Sequence, residues 1–200
     1  MAKSDPTPAR DALIAKYLDE AFGKEQQLET ALAAQIRVAD RKQLKEGLQE
    51  HLKVTRGQSR ALKKRMKQLG AEASAGPDLP GPDVLSEVAS VATSAANRAA
   101  AAAKGPVQAL RGTSPMDNDL RLVRDALWNE AEEIAHYDVI EAVAEKLGDR
   151  DTAKLARSHR REEEKMQRLL QRQIGPLVTA VTRAEVPAAE RRAVTGRTRS

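Results

Sequence analysis

Apolar residues recur along this chain at helical spacing, in stripes that are interrupted by charged and polar side chains. Over about Ala9 to Val38, Leu18, Ala21, Leu28 and Leu32 share one side of a helix, and Glu25 falls in the same stripe between Ala21 and Leu28. A second stripe, Leu44, Leu48, Leu52, Leu62, Met66 and Leu69, predicts a helix from about Arg41 to Leu69. It stops at Gly70, a residue suited to the left-handed backbone that follows a helix end. Between Leu52 and Leu62 that face holds no large aliphatic residue and offers Thr55, Gln58 and Ser59, with His51 one step aside. Gly57 lies mid-helix, where it costs about 1 kcal/mol relative to Ala, and it invites the close approach of a neighbour.

From Ala71 to Pro82 the chain reads as loop, because Pro77, Pro80 and Pro82 with Gly76 and Gly81 prevent a regular element. Asp83 is a good N-cap for an Ala-rich segment reaching about Lys104, with Val84, Leu85, Val88, Val91 and Ala95 on one side. Gly105-Pro106 stops it, and Gly112 to Pro115 forms a second linker. Asp117 or Asn118 then caps a helix over about 119–147, Gly148-Asp149 turns the chain, and a last long helix runs from about Arg150 until Gly175-Pro176. The pattern predicts an all-α protein: a lead-in over 1–8, a bundle over 9–176 with a crossover at 70–118, and a basic, disordered tail over 177–200. Two hairpins of helices about 40 Å long, joined by one long connection, make a ferritin-like four-helix bundle.

Composition agrees with helix on helix. Phe22, Trp128, Tyr17 and Tyr137 are the only aromatic residues, while Ala, Leu, Glu, Lys, Arg and Gln dominate. There is no cysteine, so neither disulfides nor thiolate metal sites are available. No apolar run approaches the roughly 20 residues that span a bilayer, and Met-Ala-Lys-Ser-Asp-Pro lacks a signal-peptide core, so a cytoplasmic protein is expected. Of the net charge of +5, +3 sits in the Arg-rich stretch from Arg183 to Ser200, which argues little for nucleic acid.

The chemistry lies where the stripes fail. Asn129 to Leu170 places ionisable groups where a hairpin should bury apolar ones. Glu133 and His136 form a Glu-x-x-His one turn apart on the first of its helices. On the second, Leu155, Met166 and Leu170 share a face, but Arg157 to Lys165 contains no apolar residue, so the stripe passes His159 and Glu162 or Glu163. Carboxylates and imidazoles inside a helical bundle are how such bundles hold metals, and this donor set suits Fe, Mn or Zn. Glu133 and His136 share the Leu122, Ala126, Ile140 and Ala144 side of their helix, whereas Asp138 shares the Leu127, Ala131 and Ile134 side. The two sets do not point equally well into one narrow site. A plainer reading leaves the histidines half-exposed and the carboxylates in surface pairs such as Glu164–Arg168. No nucleophile–base pair, phosphate-binding Gly loop or zinc finger is present, so hydrolase and kinase chemistry has no support.

Over roughly residues 10–174 the chain resembles the YciE/YciF-like branch of the ferritin-like superfamily. The matching pieces are Gly23-Lys24-Glu25-Gln26-Gln27-Leu28, then Glu50-His51-Leu52 with Thr55 and Gly57-Gln58, then His136-Tyr137-Asp138, Ala144-Glu145-Lys146-Leu147-Gly148-Asp149 and Glu163-Glu164-Lys165. The resemblance implies a ferritin-like bundle, often a homodimer, from a bacterial family tied to stress responses and suspected of di-iron chemistry. It implies Glu25, Asp138 and Glu163 or Glu164 as ligands. The chain departs from it at Val54 and Arg56, where the family tends to carry acidic residues, and at Ala135, where it tends to carry Glu.

The candidate metal ligands are thus Glu25, Glu133, His136, Asp138, His159 and Glu163, for iron or another transition metal. The expected function is that of a stress-associated ferritin-like protein with an altered di-metal site, oxidising Fe(II) if the site is intact. The alternative is a non-catalytic bundle acting through its surface. It would contact DNA through Arg56, Arg60, Lys63, Lys64, Lys67, Arg157, Arg160, Arg161 and the Arg-rich tail, with strong salt dependence.

Overall fold

Four long helices account for most of the described chain, which in this computed structural model comprises residues 7–73 and 114–197. They are α1 (Ala9–Val38), α2 (Lys42–Gln68), α3 (Pro115–Lys146) and α4 (Arg150–Glu185), followed by the short α5 (Ala188–Arg197). No strand occurs among the described residues. α1 packs on α2 and α3, and α4 packs on α3 and α2, which closes a four-helix bundle. The Ala-rich segment expected within the 70–118 crossover lies outside the described residues, as does most of the 1–8 lead-in.

The hairpin turns are built by their own sequences. Gly70 (φ 77°) and Gly148 (φ 72°) take the left-handed backbone that ends α2 and α3. The amide of Ala71 returns to the Met66 carbonyl at 3.0 Å, and that of Asp149 to Ala144 at 2.8 Å, so each end closes on itself. α3 starts earlier than the sequence suggests. Ser114 is its cap, its hydroxyl accepting from the Asp117 amide at 3.2 Å, and Pro115 occupies the first turn, where a missing N–H costs nothing.

Each hairpin also ties the other's turn. Asp119 of α3, fully buried, accepts from the backbone amides of Asp40 (3.1 Å) and Arg41 (2.9 Å) at the α1–α2 turn. At the opposite end, Arg65 of α2 donates to both carboxylate oxygens of Asp149, at 2.7 Å each. The α1–α2 turn therefore lies beside the start of α3, and the α3–α4 turn beside the end of α2. Gln68 and Pro115 consequently sit at opposite ends of the bundle, the ferritin-like connectivity.

α4 does not end at Gly175-Pro176 but continues through Pro176 to Glu185, and the chain beyond is helical again in α5. Pro176 forfeits one helical hydrogen bond. Burial of Leu177 with Leu44, Leu48 and Leu170 offsets that loss on the next residue.

The apolar interior is divided. One cluster, around Leu28, Leu32, Leu44, Leu48, Leu122 and Leu170, fills the end near the α1–α2 turn. Another, around Ile14, Leu18, Phe22, Leu62, Met66 and Ile140, fills the end near the α3–α4 turn. Between them lies a layer of buried polar side chains from all four long helices.

Candidate metal centre

The layer is assembled one helix at a time. α1 contributes Glu25, held inward by Ala21 and Leu28 on either side of it in the same stripe. On α2 the buried positions are Leu44, Leu48, His51, Thr55, Gln58, Leu62 and Met66, steps of four and three that place His51 on the inner face while Leu52 is only half-buried. α3 contributes Glu130 and Glu133, which continue the line of Ala126 and lead to Tyr137. α4 contributes Glu163, one turn before Met166. Each of Glu25, Glu130, Glu133 and Glu163 is at most 1% exposed, and His51 is 4% exposed. These are environments carboxylates avoid unless paired.

His51, Glu130, Glu133 and Glu163 each offer a ligand atom within 4.8 Å of the others. His51 Nε2 stands 3.3 Å from Glu130 Oε1 and 3.3 Å from Glu163 Oε2, close enough to pair with both when the ring is protonated. Both oxygens of Glu130 and of Glu133, and Oε2 of Glu25 and of Glu163, are buried without a hydrogen-bond partner. The remaining oxygens of the last two are occupied: Tyr137 donates its hydroxyl to Glu25 Oε1, and Gln58 donates its amide to Glu163 Oε1.

Burial dominates the electrostatics. It raises Glu25 to about 7 against the Tyr137 hydrogen bond, and raises Glu163 to about 8 against the His51 charge. It pushes Glu133 well above the usual carboxylate range, and the charges of Glu25, Glu163 and Glu130 push the same way. Tyr137 is likewise driven up by burial and by Glu25. For His51, burial disfavours the imidazolium, but Glu130, Glu163 and Glu25 outweigh it and hold the ring above its ordinary value. Ionised carboxylates that have lost water and gained few hydrogen bonds are costly, several kcal/mol per ion. Protonation or a bound cation relieves them.

The donor chemistry meets that requirement. Four carboxylates and one imidazole form an N/O set typical of iron, manganese or zinc, and four negative charges balance two divalent ions. A Glu from each of two helices, with further ligands from the others, is the arrangement that ferritin-like bundles use for paired metals. Here α2 brings a histidine without a glutamate, and α4 brings Glu163-x-x-Met166 where the motif would have Glu-x-x-His.

The candidates read from sequence fall in three places. Glu25, Glu133 and Glu163 lie in the layer. His159 lies one turn from Glu163 toward the other apolar cluster, its ring edge-on to Tyr137 at 5.1 Å between centroids, and burial lowers it to about 4. His136 is half-buried, and Asp138 is exposed and paired with Arg160. Glu130 joins the layer without having been singled out, although it shares a stripe with Ala126 and Glu133. Two of the three α4 arginines proposed for phosphate contact are engaged with acidic neighbours: Arg157 with Glu141 and Glu145, and Arg160 with Asp138, Glu141 and Glu164. Arg56 of α2 pairs with Glu29.

A family model described as a domain of unknown function, DUF892, matches residues 9–104 and 83–182. No curated protein matches the sequence. Among solved structures, the fold is similar to YcfI from Rhodopseudomonas palustris, with 24% identity, a TM-score of 0.64, and coverage of 85% of this chain and 98% of that one. It is similar to the E. coli stress protein YciF at 21% identity and a TM-score of 0.64, over 86% and 98% of the two chains. It is also similar to the bacterioferritin of Desulfovibrio desulfuricans, a protein with a diiron site, at 16% identity and a TM-score of 0.59, over 88% and 86%.

Proposed function

We propose that this chain, which belongs to the DUF892 family, is a metal-binding, ferritin-like bundle whose polar layer holds a pair of transition-metal ions, iron foremost. The observation that carries this reading is the convergence of His51, Glu130, Glu133 and Glu163 on one buried volume, with Glu25 beside them and one or both oxygens of every carboxylate accepting no hydrogen bond. Buried polar atoms in folded proteins are nearly always paired, so a cluster of exceptions marks a place suited to an ion or to water.

In this reading His51, Glu25, Glu130, Glu133 and Glu163 are the ligands. Bound iron would supply one-electron chemistry toward oxygen or a peroxide. The protein's share is to fix the carboxylates on four rigid helices, to keep them dry between two apolar clusters, and to take up protons in place of the metal when it dissociates. The diiron site of the similar bacterioferritin and the stress association of the similar YciF support a role in handling iron or oxidants under stress.

Anaerobic reconstitution of the protein with Fe(II), followed by elemental analysis, tests it. About two metals per chain are expected, with loss of both when Glu130 and Glu163 are replaced by Gln. Equal, low metal in both proteins would remove the reading.

A further inference from the structure

The four carboxylates of the layer are not equivalent. Glu25 and Glu163 each have one oxygen tied to a neutral donor and one oxygen free, whereas Glu130 and Glu133 have both oxygens free. The two ties follow one rule. Tyr137 of α3 holds Glu25 of α1, and Gln58 of α2 holds Glu163 of α4, so each held glutamate is secured by a residue of the other hairpin. Both donors are themselves interior groups, Tyr137 at 1% and Gln58 at 3% exposure, and packing fixes their direction. Gln58 must turn its amide nitrogen toward Glu163, because its oxygen would repel the carboxylate.

We propose that Tyr137 and Gln58 are positioning residues that sort the ligands of the metal centre into two kinds. By donating to one oxygen, each fixes the direction in which Glu25 and Glu163 would present the other oxygen to a metal. Glu130 and Glu133 accept no hydrogen bond and would be free to turn either oxygen toward it. This rests on the metal-binding reading above and adds to it how the protein decides which glutamate does what. The choice of neutral donors matters here. A lysine or arginine in either place would cancel a ligand charge, whereas a phenol or an amide orients the carboxylate and leaves the charge for the ion. Partners of this kind beyond the ligands typically control affinity by about 10- to 100-fold.

Anaerobic titration of Co(II) into wild type, Tyr137→Phe and Gln58→Met tests the assignment. Both substitutions keep the shape of the side chain and remove only the donor. Each variant is expected to bind Co(II) about 10- to 100-fold more weakly than wild type. Its visible cobalt spectrum should also change, because a released carboxylate would be free to turn its second oxygen toward the metal. A purely structural role would leave that spectrum unchanged. Wild type that takes up no Co(II) would overturn the metal centre itself. Wild type that binds, with both variants matching it in affinity and spectrum, would overturn the positioning role alone.

Discussion

Glu130 and Glu133 stand one turn apart on α3, both buried, and none of their four carboxylate oxygens accepts a hydrogen bond. In the metal-free protein this arrangement works against folding. Glu133 is held well above its ordinary value, so the unfolded chain gains by ionising it as pH rises past 4.5 while the folded chain does not. Glu133→Gln removes that penalty. The metal-free variant should be more stable than metal-free wild type by about 1–3 kcal/mol at neutral pH, with the gap closing toward pH 4. The same variant should lose metal. Chemical denaturation of both proteins in chelator, at pH 4 and pH 7, checks the first outcome. A variant less stable than wild type at pH 7 would contradict it.

The tie between Arg65 and Asp149 has the opposite sign. Asp149 is brought down to about 2: burial opposes its charge, but the Arg65 guanidinium and the Thr152 hydroxyl and amide outweigh that effect. Its folded value lies below the unfolded one near 3.8, so its contribution is fully present above pH 4 and is lost as pH falls toward 2. The size is roughly 2 kcal/mol at 1.36 kcal/mol per pH unit. Asp149→Asn retains a capping oxygen but not the charge. It should lower stability by about that amount at pH 6, and the difference between the two proteins should shrink steadily below pH 4. A difference independent of pH would assign the effect to packing.

Two glycines of α2 should respond differently to alanine. A Cβ on Gly57 would meet nothing within 4 Å, so the close approach expected from its sequence position does not occur there. Gly57→Ala should therefore stabilise by about 0.5–1 kcal/mol through helix propensity alone. The close approach occurs at Gly47, where a Cβ would lie 2.9 Å from Leu169 Cδ2. Gly47→Ala must displace that side chain and should gain less, or lose. Thermal melts of the two variants side by side decide it, and a larger gain at Gly47 would contradict the packing.

Much of this was legible in the stripes. The bounds of α1, the glycine ends of α2 and α3, and the connectivity followed from spacing and turn residues, because those signals are local. The polar layer was half-legible. Glu25 showed itself by interrupting an otherwise apolar stripe, and Glu163 by lying in a segment with no apolar residue. Glu130 did not, because among the many acidic residues of α3 only its phase relative to Ala126 and Tyr137 marks it. His51 reads from the sequence as one step aside from the buried face for a similar reason: taking Leu52 as the buried residue turns the face by one position, and only packing fixes the angle. His136 and Asp138 carry the right chemistry, but one is half-buried and the other exposed on α3. The run of α4 through Pro176 was hidden because a proline's local cost is visible in sequence, whereas the burial of Leu177 that offsets it is not.

The most direct test of the account is crystallography of the Fe(II)-loaded protein with data collected on either side of the iron absorption edge. Two anomalous peaks are expected inside the bundle, bounded by His51, Glu130, Glu133 and Glu163 with Glu25 alongside, both absent in crystals of Glu133→Gln. Iron found only at the protein surface, with waters or direct carboxyl–carboxylate hydrogen bonds filling the layer, would contradict it.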